Sequence, residues 1–296
     1  MSSKSLRKFW DAIFFLSGMV VLMFSLLALS TLVLELFQRG FGRIDLAFLT
    51  QFPSRFPDRA GILSAWVGSS LVMLVTALSV IPLGIASGVY LEEYAPRNFL
   101  TTLIELNTNN LAGVPSVIFG LLALGFFSNR LGFGQSILTA GLTLGLLVLP
   151  IVIVSTREAL RSVPKSIREA AYGLGASRWQ VVSHHLLPYS MGGILTGLII
   201  ALSRAVGETA PLVTIGALTF IAFLPPAPGV DGAGLTDWLW SPFTVLPIQM
   251  FNWTSRPQEG FHVNAAATGI VLLGFTLIMN SLAIWVRYRF RKRVNW

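Results

Sequence analysis

Apolar residues run along this chain in long blocks separated by shorter polar segments. A helix that crosses the hydrocarbon core of a bilayer needs about 20 mostly apolar residues. Six stretches reach that length: 12–34, 62–90, 106–127, 136–154, 192–216 and 264–286. They predict an all-α membrane protein, a polytopic bundle of six transmembrane helices. Three segments follow: 1–60 with a tail, the first span and an outer loop; 61–288 with five spans; and a basic tail, 289–296.

Composition agrees. The 296 residues are 54% hydrophobic and 11% charged, with mean hydropathy +0.71, whereas roughly a quarter of a soluble domain is charged. A net charge of +8 raises nucleic-acid binding as a class, but the basic residues sit beside apolar spans, which is a topology signal. Zero cysteines exclude disulfides, Cys-ligated zinc and thiol chemistry. The first apolar run outlasts the core of a cleavable signal, about 7–15 residues, so it reads as an uncleaved span.

Six spans leave both termini on one side. With the N-terminus inside, cytoplasmic segments hold Lys4, Arg7, Lys8, Arg97, five residues of the 155–188 loop, and Arg287, Arg289, Arg291, Lys292 and Arg293, fourteen of the 21 basic residues. That excess is the usual mark of the cytoplasmic side, and it predicts a multi-pass protein of the cytoplasmic membrane with cytoplasmic termini. The first outer loop, with Arg39, Arg43, Arg55 and Arg59, runs against the tendency.

Within the spans, Gly84 with Gly88, Gly141 with Gly145, and Gly193 with Gly197 are small-residue pairs four apart, which let helix backbones approach closely. Pro82, Pro115, Pro150 and Pro211 each remove a backbone donor and permit a kink. Tyr90 to Pro96 is expected to be a solvated turn. Glu105, Asn107, Asn109 and Asn110 are expected at the interface, with the third span beginning nearer Leu111. Trp238, Trp240 and Trp253 are expected mostly in an interfacial belt.

The long polar insertion, 155–188, carries Arg157, Arg161, Lys165, Arg168 and Arg178 and has the character of a docking surface. Ser166 with Glu169, and Ser177 with Gln180, have the spacing of capping boxes. Two short helices are therefore predicted around Gly173 and Gly175, the second ended by Pro188. Helix, turn and helix also outlines a DNA-binding unit. A reading helix must enter a groove, however, and these are tethered by spans within a few residues on both sides, so no nucleic-acid partner is expected. Ala170 and Ala171 beside Tyr172 form a face on which a protein can pack closely, with Trp179 as an aromatic anchor.

Glu169-Ala170-Ala171, then Gly175, then Leu187-Pro188 resembles the EAA loop of ABC-importer permeases. In that family the loop is a coupling helix that docks in a groove of the cytoplasmic ATPase. His185 departs from the pattern, which usually has an aliphatic residue there. Ser203 through Pro211 is similar to phosphate-importer permeases, and Ala-Pro after Glu-Thr resembles the PstA type more than its PstC partner. Residues 252–259 and 90–96 resemble the same type, and the resemblance covers about 60–286. It implies three partners besides membrane lipid: a second permease of PstC type, an ATPase dimer of PstB type, and a phosphate-binding protein of PstS type outside the membrane. It also implies that Glu169, Ala170, Ala171, Gly175, Leu187 and Pro188 serve ATPase docking, and that Arg204, Glu208 and Thr209 line the substrate pathway.

Arg204 and Glu208 lie four apart and would share one helix face. One reading is a self-neutralising pair that holds the bundle together. The other gives Arg204 a fork for bidentate contact with a tetrahedral oxyanion. An ionised Glu208 accepts hydrogen bonds and cannot donate them. It would favour a protonated phosphate oxygen and repel sulfate, which carries no proton. Molybdate or sulfate import is the neighbouring alternative; a non-transport scaffold is the distant one.

The chain has no Gly-x-x-x-x-Gly-Lys-[Ser/Thr] and no complete Gly-x-Gly-x-x-Gly, so ATP hydrolysis is assigned to a separate subunit. Adjacent His184 and His185 diverge on a helix and make poor metal ligands. No cofactor, metal or catalytic residue is expected.

Overall fold

The structure is a computed structural model that describes residues 3–291 apart from positions 231 and 233. Lys292 and Arg293 of the basic tail lie outside the described residues. The first span is α1 (Ser3–Gly40), an apolar helix whose spanning segment buries nothing within the chain. Its end meets α12 (Glu259–Arg291), where a Cβ on Gly40 would strike the Ala266 and Ala267 backbone. A short helix follows, α2 (Leu46–Thr50), capped by Asp45, whose carboxylate accepts the Phe48 N–H at 2.6 Å.

The core is built on α6 (Ile137–Arg161), with α3 (Leu63–Val89) on one side and α9 (Leu187–Gly207) on the other. The predicted glycine pairs are the contact points. Gly84 and Gly88 of α3 face Val152 and Thr156 of α6; Gly141 and Gly145 of α6 face Val75 and Ser79 of α3. Gly193 and Gly197 of α9 face Ala159 and Ser155. A Cβ on Gly84 would lie 2.5 Å from Val152 Cγ1, and one on Gly193 2.7 Å from Ala159 Cβ. Lipid supplies no hydrophobic drive between helices, so this close approach and the interdigitated Val72, Leu144, Val148, Ile194 and Ala201 hold the bundle.

Two predicted spans are broken. The third is α4 (Phe99–Leu111) and α5 (Ser116–Ala123), bent 109° apart, α5 running on as a π turn over Leu124–Arg130. Pro115 is the cause, because proline disfavours helical backbone at the residue before it and itself sits extended, at ψ 133°. The fifth span ends at Gly207, and α10 (Ala210–Ile215) restarts with Pro211 in its first turn. In a continuous helix the Pro211 ring would clash with the Gly207 carbonyl. Among the described residues, five helices are long and apolar enough to cross, six if the bent pair counts as one.

The polar loop holds α7 (Lys165–Gly173) and α8 (Arg178–Gln180), the latter continuing through a π turn (Val181–Leu186) into α9. The capping box at Ser177 and Gln180 forms as predicted. The one at Ser166 does not: Pro164 starts α7 and leaves Ser166 inside the first turn. Pro188 does not end its helix either, since Arg178–Gly207 is one run. The π turn before it shifts the bonding register, with the Leu187 N–H donating to the Val182 carbonyl.

At the opposite end α11 (Leu246–Thr254) packs on α12. Trp253 is fully buried between Phe48 and Phe261, at 6.1 and 6.3 Å between ring centroids, and so is a core residue instead of part of an interfacial belt. Arg43, one of the four arginines of the first loop, has a structural role. Its guanidinium donates to Asn264 Oδ1 at 3.0 Å and to the Asp58 and Ala60 carbonyls at 3.0 and 3.1 Å, stapling the loop to α12.

Candidate functional site

Arg204 occupies the last turn of α9, and Glu208 caps it with extended backbone, φ −76° and ψ 119°. The helix therefore ends between them, yet Arg204 Nε still donates to Glu208 Oε1 at 3.2 Å. The Arg204 side chain is 41% exposed and that of Glu208 18%. Both terminal guanidinium nitrogens of Arg204 are without a partner among the described residues, which leaves a two-pronged edge to meet two oxygens of one anion. Thr209 and Gly207 line an open cleft of about 660 Å³ together with Val117 of α5, Val213 of α10 and Phe251 of α11. The three predicted pathway residues thus come together where the fifth span breaks. Sequence reasoning missed Asn280 of α12, which hydrogen-bonds Ser203, the neighbour of Arg204; its signal was an amide in the middle of an apolar span.

In the loop, Glu169 and Ala170 are exposed, as are Tyr172, Leu174 and Trp179. Gly175 adopts φ +82°, a conformation open to glycine, and turns the chain from α7 to α8. Ala171 departs from the docking set: it is buried against Leu160, Val163, Val181 and Val182 and anchors α7 to the bundle. Leu187 and Pro188 are half-buried in the start of α9 and do not share the exposed surface of α7.

Arg157 and Arg161 belong to the last turns of α6, and Arg157 is buried at 5% exposure, so it is no part of a docking surface. The cause is acidic. Tyr90–Tyr94 is a π turn prolonging α3 and no solvated turn, and it delivers Glu92 and Glu93 to the arginines. Glu92 lies 3.5 Å from Arg157 and accepts from Arg161 Nε at 2.9 Å. Glu93 lies 2.9 Å from Arg168 of α7, and Glu105 of α4 lies 2.6 Å from Arg157. Glu105 is thus an ion-pair partner, while Asn107, Asn109 and Asn110 are exposed on the surface of α4. His184 and His185 sit exposed in the π turn, and no group of three or more potential metal ligands occurs among the described residues.

Residues 80–296 match the family described as the binding-protein-dependent transport system inner membrane component. Among relatives, a probable ABC transporter permease, YqgI of Bacillus subtilis (strain 168), is 35% identical over 273 residues, covering 86% of this chain and 87% of its own. The phosphate transport system permease PstA of Xylella fastidiosa (strain Temecula1) is 32% identical over 248 residues, covering 83% and 81%. The crystal structure of a bacterial ABC transporter involved in import of the acidic polysaccharide alginate superposes with TM-score 0.61 over 97% of this chain and 98% of that one. At 14% identity it speaks for the fold alone.

Proposed function

The chain belongs to the binding-protein-dependent transport system inner membrane component family, and from that membership we propose that it is the permease subunit of an ATP-driven importer of inorganic phosphate. It works in the cytoplasmic membrane with both termini cytoplasmic, beside a second permease of PstC type. An ATPase dimer of PstB type binds the α7 loop, and a PstS-type protein hands over phosphate from outside. The chain hydrolyses nothing; ATP is consumed by the separate subunit.

One observation carries the substrate reading: Arg204 presents a free guanidinium edge beside Glu208 at the break of a span, next to an open cleft. Charges within a membrane segment are costly and face a cavity or a partner. Arg204 meets two phosphate oxygens with its fork, and Glu208 accepts the proton that phosphate carries and sulfate lacks. Docking rests on the exposed Glu169 and Ala170 in the middle of α7, a helix anchored to the bundle by Ala171.

Uptake of labelled phosphate by cells carrying Arg204→Ala tests the pathway and is expected to fall by on the order of a hundredfold, since a lost charged hydrogen bond costs up to about 3 kcal/mol. Uptake at the original rate overturns the assignment. Recovery of the ATPase with affinity-tagged Glu169→Lys is expected to drop sharply; full yield and activity overturn the docking role.

A further inference from the structure

We propose that Glu92, Glu93, Glu105, Arg157, Arg161 and Arg168 form an ionic linkage that carries displacement of α7 to the cleft beside Thr209, with Glu105 and Arg157 as its decisive positioning pair. The inference rests on the docking role of α7 proposed above. Three carboxylates from other elements meet the three guanidinium groups, and Glu158 lies 3.6 Å from Arg161 within α6. The cluster joins parts of the chain far apart in sequence: the π turn ending α3, α4, the end of α6, and α7.

Each attachment is narrow. In α7 Ala171 alone is buried, with Ile167 packed partly buried beside it, and the polar grip is Arg168, one nitrogen of which lies 2.9 Å from Glu93 and 2.8 Å from the Leu160 carbonyl oxygen. In α4 Thr108 alone is buried, and the 2.6 Å contact between Glu105 and Arg157 ties that helix to α6. Beyond α4 lies the sharp break at Pro115. Beyond the break, α5 packs on α10, with Gly120 against Pro211 and Thr214, while Val117 faces the same cleft as Thr209. A pull on α7 thus reaches Glu93, passes along the α3 and α6 ends, and turns α4 about its hinge against α5 and α10.

Net stability is a weak reason for such a cluster, because well-packed apolar residues commonly do as well as a buried ion pair. What ions supply is a fixed geometry between elements that must move together. Coupling claims require a coupling measurement. The test uses the assembled importer in proteoliposomes, reading ATP hydrolysis and phosphate uptake together. Glu105→Gln and Glu93→Gln are expected to co-purify with the ATPase in the original yield and to hydrolyse ATP, while phosphate moved per ATP falls on the order of tenfold. Unchanged transport per ATP in both overturns the proposal. Should either variant fail to assemble, the exchange Glu93→Arg with Arg168→Glu decides: recovered transport per ATP supports the linkage, and assembly without recovery overturns it. If Glu169→Lys retains the ATPase in full, the docking reading fails separately, whatever the glutamates do.

Discussion

Arg204 and Glu208 interact through one nitrogen and one oxygen at 3.2 Å, a contact too open to be the whole reason for two charges in a span. Selectivity should reside in the carboxylate. Glu208→Gln removes the charge that repels sulfate and keeps the shape, so phosphate uptake should persist while the preference over sulfate falls by on the order of tenfold. Competition of labelled phosphate uptake by sulfate reads this; intact uptake with undiminished preference would refute it. Arg43 makes the opposite case, a charge used for architecture. Its side chain is 18% exposed and donates to one amide oxygen and to carbonyls of the outer loop. Arg43→Met leaves those acceptors unpaired and should cost about 2–4 kcal/mol, several degrees in thermal unfolding in detergent. A shift within a degree of the original protein would show that the staple carries no weight.

At the scale of elements, the glycine contacts between α6 and α9 make neighbouring positions inequivalent. A Cβ on Gly193 would meet Ala159 at 2.7 Å, whereas Gly192 has nothing within 4 Å. Gly193→Leu should therefore separate the helices and lower the yield of folded protein severalfold, by the usual cost of overpacking, about 1–3 kcal/mol. Gly192→Leu should be tolerated, and size-exclusion profiles of the two proteins side by side decide it. These pairs were readable in the sequence because close packing leaves a local mark, small residues four apart. The Ser177 capping box was readable for the same reason. The broken spans were not: mean hydropathy passes over a break, and Pro115 and Pro211 by themselves signal a kink or an end equally well. Glu92 and Glu93 were missed because their partners lie more than sixty residues away, and nothing near Tyr90 announces that the helix continues as a π turn. Trp253 looked interfacial for a similar reason, its neighbours Phe48 and Phe261 being contributed by other elements.

The direction of the helices settles how the bent pair is threaded through the whole molecule. Gly84 and Gly88 meet Val152 and Thr156 in the same order, so α3 and α6 run parallel; Gly193 and Gly197 meet Ala159 and Ser155 in reverse order, so α9 runs antiparallel. Two consecutive parallel spans require the chain between them to return across the membrane. Glu105 still touches Arg157 at the C-terminal end of α6, and the Ile137 N–H already donates to the Ser241 carbonyl at the opposite end. The return is thus left to α5 and its π turn, whose fifteen residues reach about 22 Å at 1.5 Å each. That is short of the roughly 30 Å hydrocarbon core, so the end of α4 must enter the membrane to complete the path. Because the chain has no cysteine, single thiols report sides directly. Asn129→Cys should react with a membrane-impermeant maleimide on intact cells stripped of any outer barrier, whereas Arg97→Cys, on the other side of the bent pair, should react in inside-out vesicles alone. Labelling of both from one side would make α4 and α5 a re-entrant loop, reduce the crossings to five and place the two termini on opposite faces.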